Sequence, residues 1–204
     1  MGNIKFKIYI ITDYDIPLNL QMHYLKKLSI CKYPDDIAIQ IRLKQKEDII
    51  TDFTKELKRS LGNIRIILNE SISLMKKTNA DGVHLKENSN LENINTAEFK
   101  KEGKLILKST HSELSINEAV KHKIDAITYG PVFKTPSKLK YGRPNGYELM
   151  KKNKFNIPIF ALGGINIDNV KEIKDYFYGF AGIRMFINDD IIKNIETLRS
   201  IVWK

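Results

Sequence analysis

Segments rich in β-branched and aliphatic residues recur along this chain, and most are followed by a segment whose apolar residues have helical spacing. Eight apolar segments are predicted as strands, and most of the intervening segments are predicted as helices. The predicted strands are 7–13, 37–42, 64–68, 82–85, 105–108, 125–129, 157–161 and 179–183. The predicted helices are 17–30, 47–61, 71–78, 96–101, 112–121, 146–152, 168–175 and 191–202.

This alternation implies parallel strands that are joined by helical crossovers. Eight strand-then-helix units predict a closed (β/α)₈ TIM barrel, a single α/β domain over residues 1–204, which is close to the lower length limit of about 200 residues. The alternative is an open doubly wound sheet, which usually carries a glycine-rich phosphate loop after its first strand. The first predicted strand runs into Thr12-Asp13-Tyr14, which contains no glycine and therefore favours the barrel.

The composition argues against several classes of protein. No run of about 18 apolar residues is present, so no membrane-spanning segment is expected. The N-terminus has neither an uninterrupted apolar core nor a small-residue cleavage site, so we expect no signal peptide. Cys31 is the single cysteine and cannot form an internal disulfide. We therefore expect a cytoplasmic protein.

The net charge of +10 raises the question of an anionic partner. Nucleic acid, acidic lipid and phosphorylated small molecules all attract a basic protein. Most lysines fall on predicted helix surfaces, and no basic block is interleaved with aromatic residues as nucleic-acid sites require. We therefore expect no nucleic acid and no membrane partner. Solvated helix surfaces account best for this charge.

Polar and cationic side chains are concentrated where the predicted strands end. In a (β/α)₈ barrel the active site lies at these C-terminal ends. Arginine can bind a phosphate through its planar fork, and glycine N–H groups can approach an anion without a Cβ in the way. The residues expected at this mouth are Thr12, Asp13, Arg42, Lys44, Asn69, Glu70, His84, Lys86, Ser109, His111, residues 130–138, Gly163, Gly164 and Arg184.

Two loops are the strongest candidates for holding an anionic group. The first follows the sixth predicted strand at Gly130-Pro131 and continues into a segment with hydroxyl and lysine side chains. The second follows the seventh predicted strand and contains Gly163-Gly164. Both combine a buried strand with a loop rich in donors, which is typical of a phosphate site at a barrel mouth.

Six motifs in this order resemble thiamine phosphate synthase and its close relative, the thiazole tautomerase. Each motif is weak alone, whereas six in the right order over nearly the whole chain are specific for the family. They are Tyr9-Ile10-Ile11-Thr12-Asp13, Gln40-Ile41-Arg42-Leu43-Lys44, Ala80-Asp81-Gly82-Val83-His84-Leu85, Ser109-Thr110-His111-Ser112, Gly130-Pro131-Val132-Phe133 with 135–138, and Ala161-Leu162-Gly163-Gly164-Ile165.

The resemblance implies a (β/α)₈ fold and a transferase that acts in thiamine biosynthesis. The synthase joins hydroxymethylpyrimidine pyrophosphate to thiazole phosphate and releases pyrophosphate. The implied partners are therefore a phosphorylated pyrimidine and a phosphorylated thiazole. The oligomeric state stays open, and a homodimer is compatible with the sequence.

The resemblance also implies roles for individual residues of this chain. Arg42, Lys44 and Lys138 correspond to catalytic contacts with the pyrophosphate. The family usually has a small residue in place of Arg184, so an arginine there would either add a phosphate contact or fill the site. The residues implied in substrate binding are Gln40, Asn69, Ser109, Thr135, Pro136, Ser137, Gly163, Gly164, Ile183 and Arg184.

The implied cofactor is Mg²⁺, but its site departs from the family pattern. Two aspartates hold the ion in the family, and this chain has Glu70 and Ser89 at those positions. Glu87 and Asn88 are nearby in sequence and could substitute. Mg²⁺ tolerates little misplacement of its oxygen ligands, so the metal candidates Glu70, Ser89 and Glu87 form an altered site.

The leading prediction is a synthase, because the residues implied on the pyrophosphate side are kept. One alternative is a thiazole tautomerase, although that relative often has a histidine in place of Pro131. His84 is expected to pack at a strand end and His111 to lie at a helix start rather than to act as an acid or base. A second alternative is a non-catalytic relative that binds thiazole or thiamine phosphate, and a nucleic-acid binder is a more distant one.

Overall fold

The computed structural model describes residues 4–134 and 144–203. Eight parallel strands pair in sequence order, and the last pairs with the first, so the sheet closes into a barrel. This confirms the predicted TIM barrel over the open sheet. The strands are β1 (Ile8–Ile11), β2 (Ile37–Ile41), β3 (Arg65–Asn69), β4 (Gly82–Leu85), β5 (Leu105–Thr110), β6 (Ala126–Tyr129), β7 (Ile159–Leu162) and β8 (Gly179–Gly182).

Seven α-helices surround the barrel in the part of the chain that the structure describes. Short 3₁₀ turns at Lys27–Ile30, Pro34–Asp36 and Val170–Glu172 add to them. No helix among residues 4–134 and 144–203 combines the length and apolar character needed to cross a bilayer. The helices are α1 (Leu18–Lys26), α2 (Glu47–Leu61), α3 (Ile72–Thr78), α4 (Thr96–Lys101), α5 (Glu113–Lys121), α6 (Glu148–Lys152) and α7 (Ile191–Val202).

The helix predicted over 168–175 is wrong, because this segment contains only the 3₁₀ turn Val170–Glu172. The Asn166 side chain accepts hydrogen bonds from the backbone N–H groups of Asp168 and Asn169, at 2.9 and 3.0 Å. The Asn169 side chain accepts one from the N–H of Asn166 at 2.9 Å. Local bonds of this kind stabilise a turn in competition with the helix.

Alternate residues of the strands fill the inside of the barrel, as strand geometry requires. The lower interior is apolar and rich in aromatic rings. The Phe6 and Phe160 rings stack with their centroids 5.3 Å apart, and the Tyr9 ring lies 5.7 Å from that of Phe160. Leu107 and Ala181 are also buried in this cluster. The barrel is therefore a packed core, and the next interior layer faces the mouth.

Candidate active site

A cavity of about 500 Å³ opens at the C-terminal ends of the strands. This volume suits a small molecule. Its floor is formed by inward-facing residues of seven strands, one from each, two positions beyond the residues that face the barrel interior below. The floor residues are Ile11, Gln40, Asn69, His84, Ser109, Thr128 and Leu162, and the rim residues are Tyr14, Arg42, Leu43, Lys44, Glu70 and Lys86.

The cavity brings together many of the residues that the sequence predicts. Four further candidates, Thr135, Pro136, Ser137 and Lys138, lie outside the described residues, so their predicted roles stay predictions. Gly163, Gly164, Ile183 and Arg184 lie on neighbouring loops and are not part of this lining. The predicted residues in the lining are Gln40, Arg42, Lys44, Asn69, Glu70, His84, Lys86 and Ser109.

A chain of side-chain amides crosses part of the floor. Gln40 Nε2 donates to Asn69 Oδ1 at 2.8 Å, and Asn69 Nδ2 donates to Glu70 Oε1 at 2.9 Å. Gln40 is almost completely buried, so its amide must find a partner inside the barrel. These hydrogen bonds fix the orientation of the Gln40 and Asn69 amides at the surface that would contact a ligand.

Arg42 and Lys44 lie on the rim, and both are close to one aromatic ring. The Arg42 backbone N–H donates to Thr12 Oγ1 at 2.7 Å, which fixes the end of β2 against the end of β1. The Arg42 guanidinium carbon lies 5.2 Å from the Tyr14 ring centroid, and Lys44 Nζ lies 3.7 Å from it. Neither cation has a carboxylate partner among residues 4–134 and 144–203. Both can therefore bind an incoming anion.

His84 connects the interior of the barrel to the floor of the cavity. Its Nδ1 lies 3.1 Å from the Tyr9 hydroxyl, and its Nε2 lies 3.0 Å from Ser109 Oγ. The Tyr9 side chain is fully buried, and Nδ1 is the one partner of its hydroxyl in the described chain. Tyr9 therefore donates to Nδ1, and His84 Nε2–H donates to Ser109. The Ser109 hydroxyl proton is then left to donate to a ligand in the cavity.

The His84 imidazole stays neutral in this position. Burial, and to a smaller extent the nearby Arg42 charge, lower the pKa of His84 from 6.5 to about 3. The neutral ring keeps one acceptor and one donor nitrogen, as the chain from Tyr9 to Ser109 requires. His84 is thus a fixed connector rather than a proton-transfer group near neutral pH.

The depressed pKa of His84 predicts that stability falls with acidification. Between about pH 6.5 and about pH 3 the unfolded chain binds a proton at this imidazole and the folded chain does not. The free energy of unfolding should therefore fall by up to about 1.4 kcal/mol per pH unit from this residue. In His84→Gln the amide retains an acceptor and a donor but does not titrate. Urea unfolding between about pH 7 and about pH 4.5 gives the free energy of unfolding at each pH. Its dependence on pH should be less steep in His84→Gln than in the unaltered protein, by the amount that corresponds to about one proton.

His23→Gln is the matched control, because His23 is exposed on α1. It makes the same replacement outside the buried chain from Tyr9 to Ser109, so its dependence of stability on pH is the reference for His84→Gln. A His84→Gln protein with the slope of the unaltered protein would contradict the neutral, buried imidazole.

The two loops predicted to hold an anion pack directly on each other. Phe133 N–H donates to the Gly163 carbonyl at 3.0 Å. Gly163 and Gly164 have φ of +100° and +68°, which side chains with a Cβ rarely adopt. A Cβ on Gly164 would lie 2.4 Å from the Lys134 carbonyl oxygen, so glycine is required for this close approach.

Ile183 and Arg184 follow β8 and begin the turn toward α7. Ile183 is half-buried, and the Arg184 side chain is exposed. Asn188 Nδ2 donates to the Arg184 carbonyl at 2.8 Å, which holds the turn. Their phosphate contact stays a prediction from the sequence.

The residues predicted to hold Mg²⁺ do not form a metal site. Glu70 lines the mouth, where its Oε2 lies 2.6 Å from Lys86 Nζ. Glu87 and Ser89 line a different cavity of about 640 Å³ beside α5, and Glu87 Oε1 accepts from the His111 backbone N–H at 2.8 Å. In the described chain no three His, Cys, Asp or Glu residues are grouped as metal ligands. Because Glu70 is paired with Lys86 while Glu87 and Ser89 line another cavity, the three predicted ligands do not converge on one ion.

The sequence reasoning missed two residues of this site and undervalued one. Tyr9 lies one layer below the floor, and the signal for it was a hydroxyl at an inward position of β1. Tyr14 was mentioned only as part of the glycine-free segment after the first strand. In the structure its ring lies close to the Arg42 and Lys44 cations. Lys86 was expected at the mouth, but its pairing with Glu70 was not foreseen.

Comparison with solved structures supports the fold and the family together. The chain superposes on a thiamine phosphate pyrophosphorylase from Pyrococcus furiosus with a TM-score of 0.74 and 26% identity, covering 98% of this chain and 96% of the other. It superposes on a 3-hexulose-6-phosphate synthase with the same TM-score of 0.74 at 12% identity, covering 97% of this chain and 100% of the other. The second likeness shows the fold alone.

Sequence comparison gives the same assignment over most of the chain. A thiamine-phosphate synthase of Clostridium tetani is 31% identical over 207 residues, which cover 96% of this chain and 95% of that protein. A putative thiamine-phosphate synthase of Geobacter sulfurreducens is 29% identical over 180 residues, covering 84% and 82%. The family model described as thiamine monophosphate synthase matches residues 8–191. The chain belongs to the TMP-TENI family, which comprises thiamine monophosphate synthase and TenI.

Proposed function

We propose that this chain is a thiamine-phosphate synthase that joins hydroxymethylpyrimidine pyrophosphate to thiazole phosphate and releases pyrophosphate. The observation that carries this proposal is the grouping of Gln40, Arg42, Lys44, Asn69 and Ser109 in one cavity at the barrel mouth. These side chains combine two cations for an anion with amide and hydroxyl groups for a heterocycle.

In this reaction the C–O bond between the pyrimidine methylene and the pyrophosphate breaks first, and its electron pair leaves with the pyrophosphate. The lone pair of the thiazole nitrogen then forms the new C–N bond to the methylene carbon. No proton has to move, so a neutral His84 is compatible with the chemistry. The protein's task is to hold two anionic substrates together and to stabilise charge on the departing group.

Each part of the cavity has a role in this proposal. Arg42 and Lys44 bind the pyrophosphate and stabilise the negative charge that it gains on departure. The amides of Gln40 and Asn69 and the hydroxyl of Ser109 orient the pyrimidine on the floor. Beside the cavity, the turn at Gly163-Gly164 would offer backbone N–H groups to the thiazole phosphate.

The test is incubation of the purified protein with both substrates, with and without Mg²⁺, followed by chromatographic detection of thiamine phosphate. We expect product in amounts that require both substrates and grow with protein concentration. Product no greater than with heat-denatured protein would reject the synthase. Isomerisation of a thiazole carboxylate phosphate supplied alone would support the tautomerase instead.

A non-catalytic relative is the second candidate, and the pairing of Glu70 with Lys86 favours it, because this carboxylate does not serve as a metal ligand. Such a protein would bind thiazole phosphate or thiamine phosphate in calorimetry without forming product. Turnover in the assay above would exclude it.

A further inference from the structure

Both carboxylate oxygens of Glu70 already have donors. Oε2 lies 2.6 Å from Lys86 Nζ, and Oε1 accepts from Asn69 Nδ2 at 2.9 Å. A metal ion at Glu70 would have to displace an ammonium group that already neutralises the carboxylate. Glu70 is therefore an anchor for a lysine in this chain.

Lys86 is held at the mouth but can still reach a ligand. Its side chain is 64% exposed, and that of Glu70 is 38% exposed. An ammonium group has three N–H donors, and Glu70 uses one of them at this distance. Because an exposed ion pair contributes little to stability, Lys86 can direct its other donors to an anion at small cost.

The described part of the mouth carries a net positive charge without a metal. Arg42, Lys44 and Lys86 are its cations and Glu70 its one carboxylate among the described lining residues, which leaves a net charge of +2. This net charge equals the charge of one divalent cation. Arg42 and Lys44 follow β2 and Lys86 follows β4, the two strands that flank β3, and Glu70 follows β3 between them.

We propose that Lys86, anchored by Glu70, supplies the positive charge toward a diphosphate group that a divalent metal would otherwise supply, so that diphosphate binding by this chain is independent of metal. The inference rests on the proposed function for the chemistry of the ligand. It concerns binding, and it is tested without turnover.

The experiment is calorimetric titration of the whole protein with inorganic pyrophosphate, once in EDTA and once in Mg²⁺, with correction for the magnesium–pyrophosphate complex. We expect the two dissociation constants to agree within about threefold. In EDTA, Lys86→Met should raise the dissociation constant about tenfold, because a charge-assisted contact is lost. Lys77→Met, which removes an exposed lysine of α3, is the matched control and should have no effect.

Binding that appears only with Mg²⁺ would overturn the proposal, and so would EDTA-resistant binding that Lys86→Met leaves unchanged. The EDTA comparison uses the unaltered protein, so it stands even if a variant folds poorly. Metal-independent binding without thiamine phosphate formation would reject the synthase and leave this inference intact. Formation of thiamine phosphate together with metal-dependent pyrophosphate binding would support the synthase and reject this inference.

Discussion

Replacement of Arg42 by methionine should weaken pyrophosphate binding by roughly 100-fold, which corresponds to about 3 kcal/mol. The guanidinium can form two parallel charge-assisted hydrogen bonds to phosphate oxygens, and methionine can form none. Folding should change little, because the rim position of Arg42 is fixed by its backbone bond to Thr12 Oγ1. Calorimetric titration with pyrophosphate measures the effect, and the rate of thiamine phosphate formation should fall at least as far.

Arg65→Met is the matched control for this change. Arg65 is an exposed arginine at the first position of β3, so it lies at the opposite end of the barrel from the mouth. The control removes the same net charge and should leave binding nearly unchanged. Equal losses in the two variants would mean that the general positive charge of the protein, and not the fork of Arg42, attracts the anion.

Replacement of Gly164 by alanine should destabilise the fold by about 2–4 kcal/mol and disrupt the contact between the two loops. A backbone with φ of +68° costs a residue with a Cβ about 1 kcal/mol or more. The new Cβ would also lie 2.4 Å from the Lys134 carbonyl oxygen and 2.8 Å from Phe133 Cβ, so the 133–134 segment must move. Such overpacking adds about 1–3 kcal/mol. Urea unfolding measures the change in free energy.

Gly103→Ala separates the backbone cost of a positive φ from the steric cost of the new Cβ. Gly103 has the same φ of +68°, but a Cβ there meets nothing within 4 Å. This control therefore carries the backbone cost without the collision, and it should lose about 1 kcal/mol. If the two alanine variants lost equal stability, the close packing of the two loops would not be what requires glycine at position 164.

The elements with strong local signals were predicted with their observed bounds. Helices 47–61, 96–101 and 191–202 and strand 82–85 agree residue for residue with the structure. Gly62, with φ of +56°, follows the last residue of α2 and ends the helix. Helix 168–175 failed because the side chains of two asparagines bond locally to the backbone. The spacing of apolar residues does not show that such side-chain bonds compete with the helix.

Strand β5 shows a different limit of local reasoning. Its predicted end at residue 108 was short by two residues, because Ser109 and Thr110 pair with Thr128 and Tyr129 of β6. These partners lie 19 residues further along the chain. The extra pairing places Ser109 in the floor layer, where His84 can donate to it.

The sequence alone determined the barrel and much of the composition of its mouth, because strand and helix periodicity are local properties and the carboxyl ends of parallel strands share one rim. It therefore identified Arg42, Lys44, Asn69 and Ser109 as neighbours, and the resemblance to the family added Gln40. Only the tertiary structure decided how side chains pair within that rim. Tyr9 meets His84 75 residues away, and Lys86 meets Glu70 across two adjacent strand ends. Such partners depend on barrel closure and strand register, which no local pattern specifies.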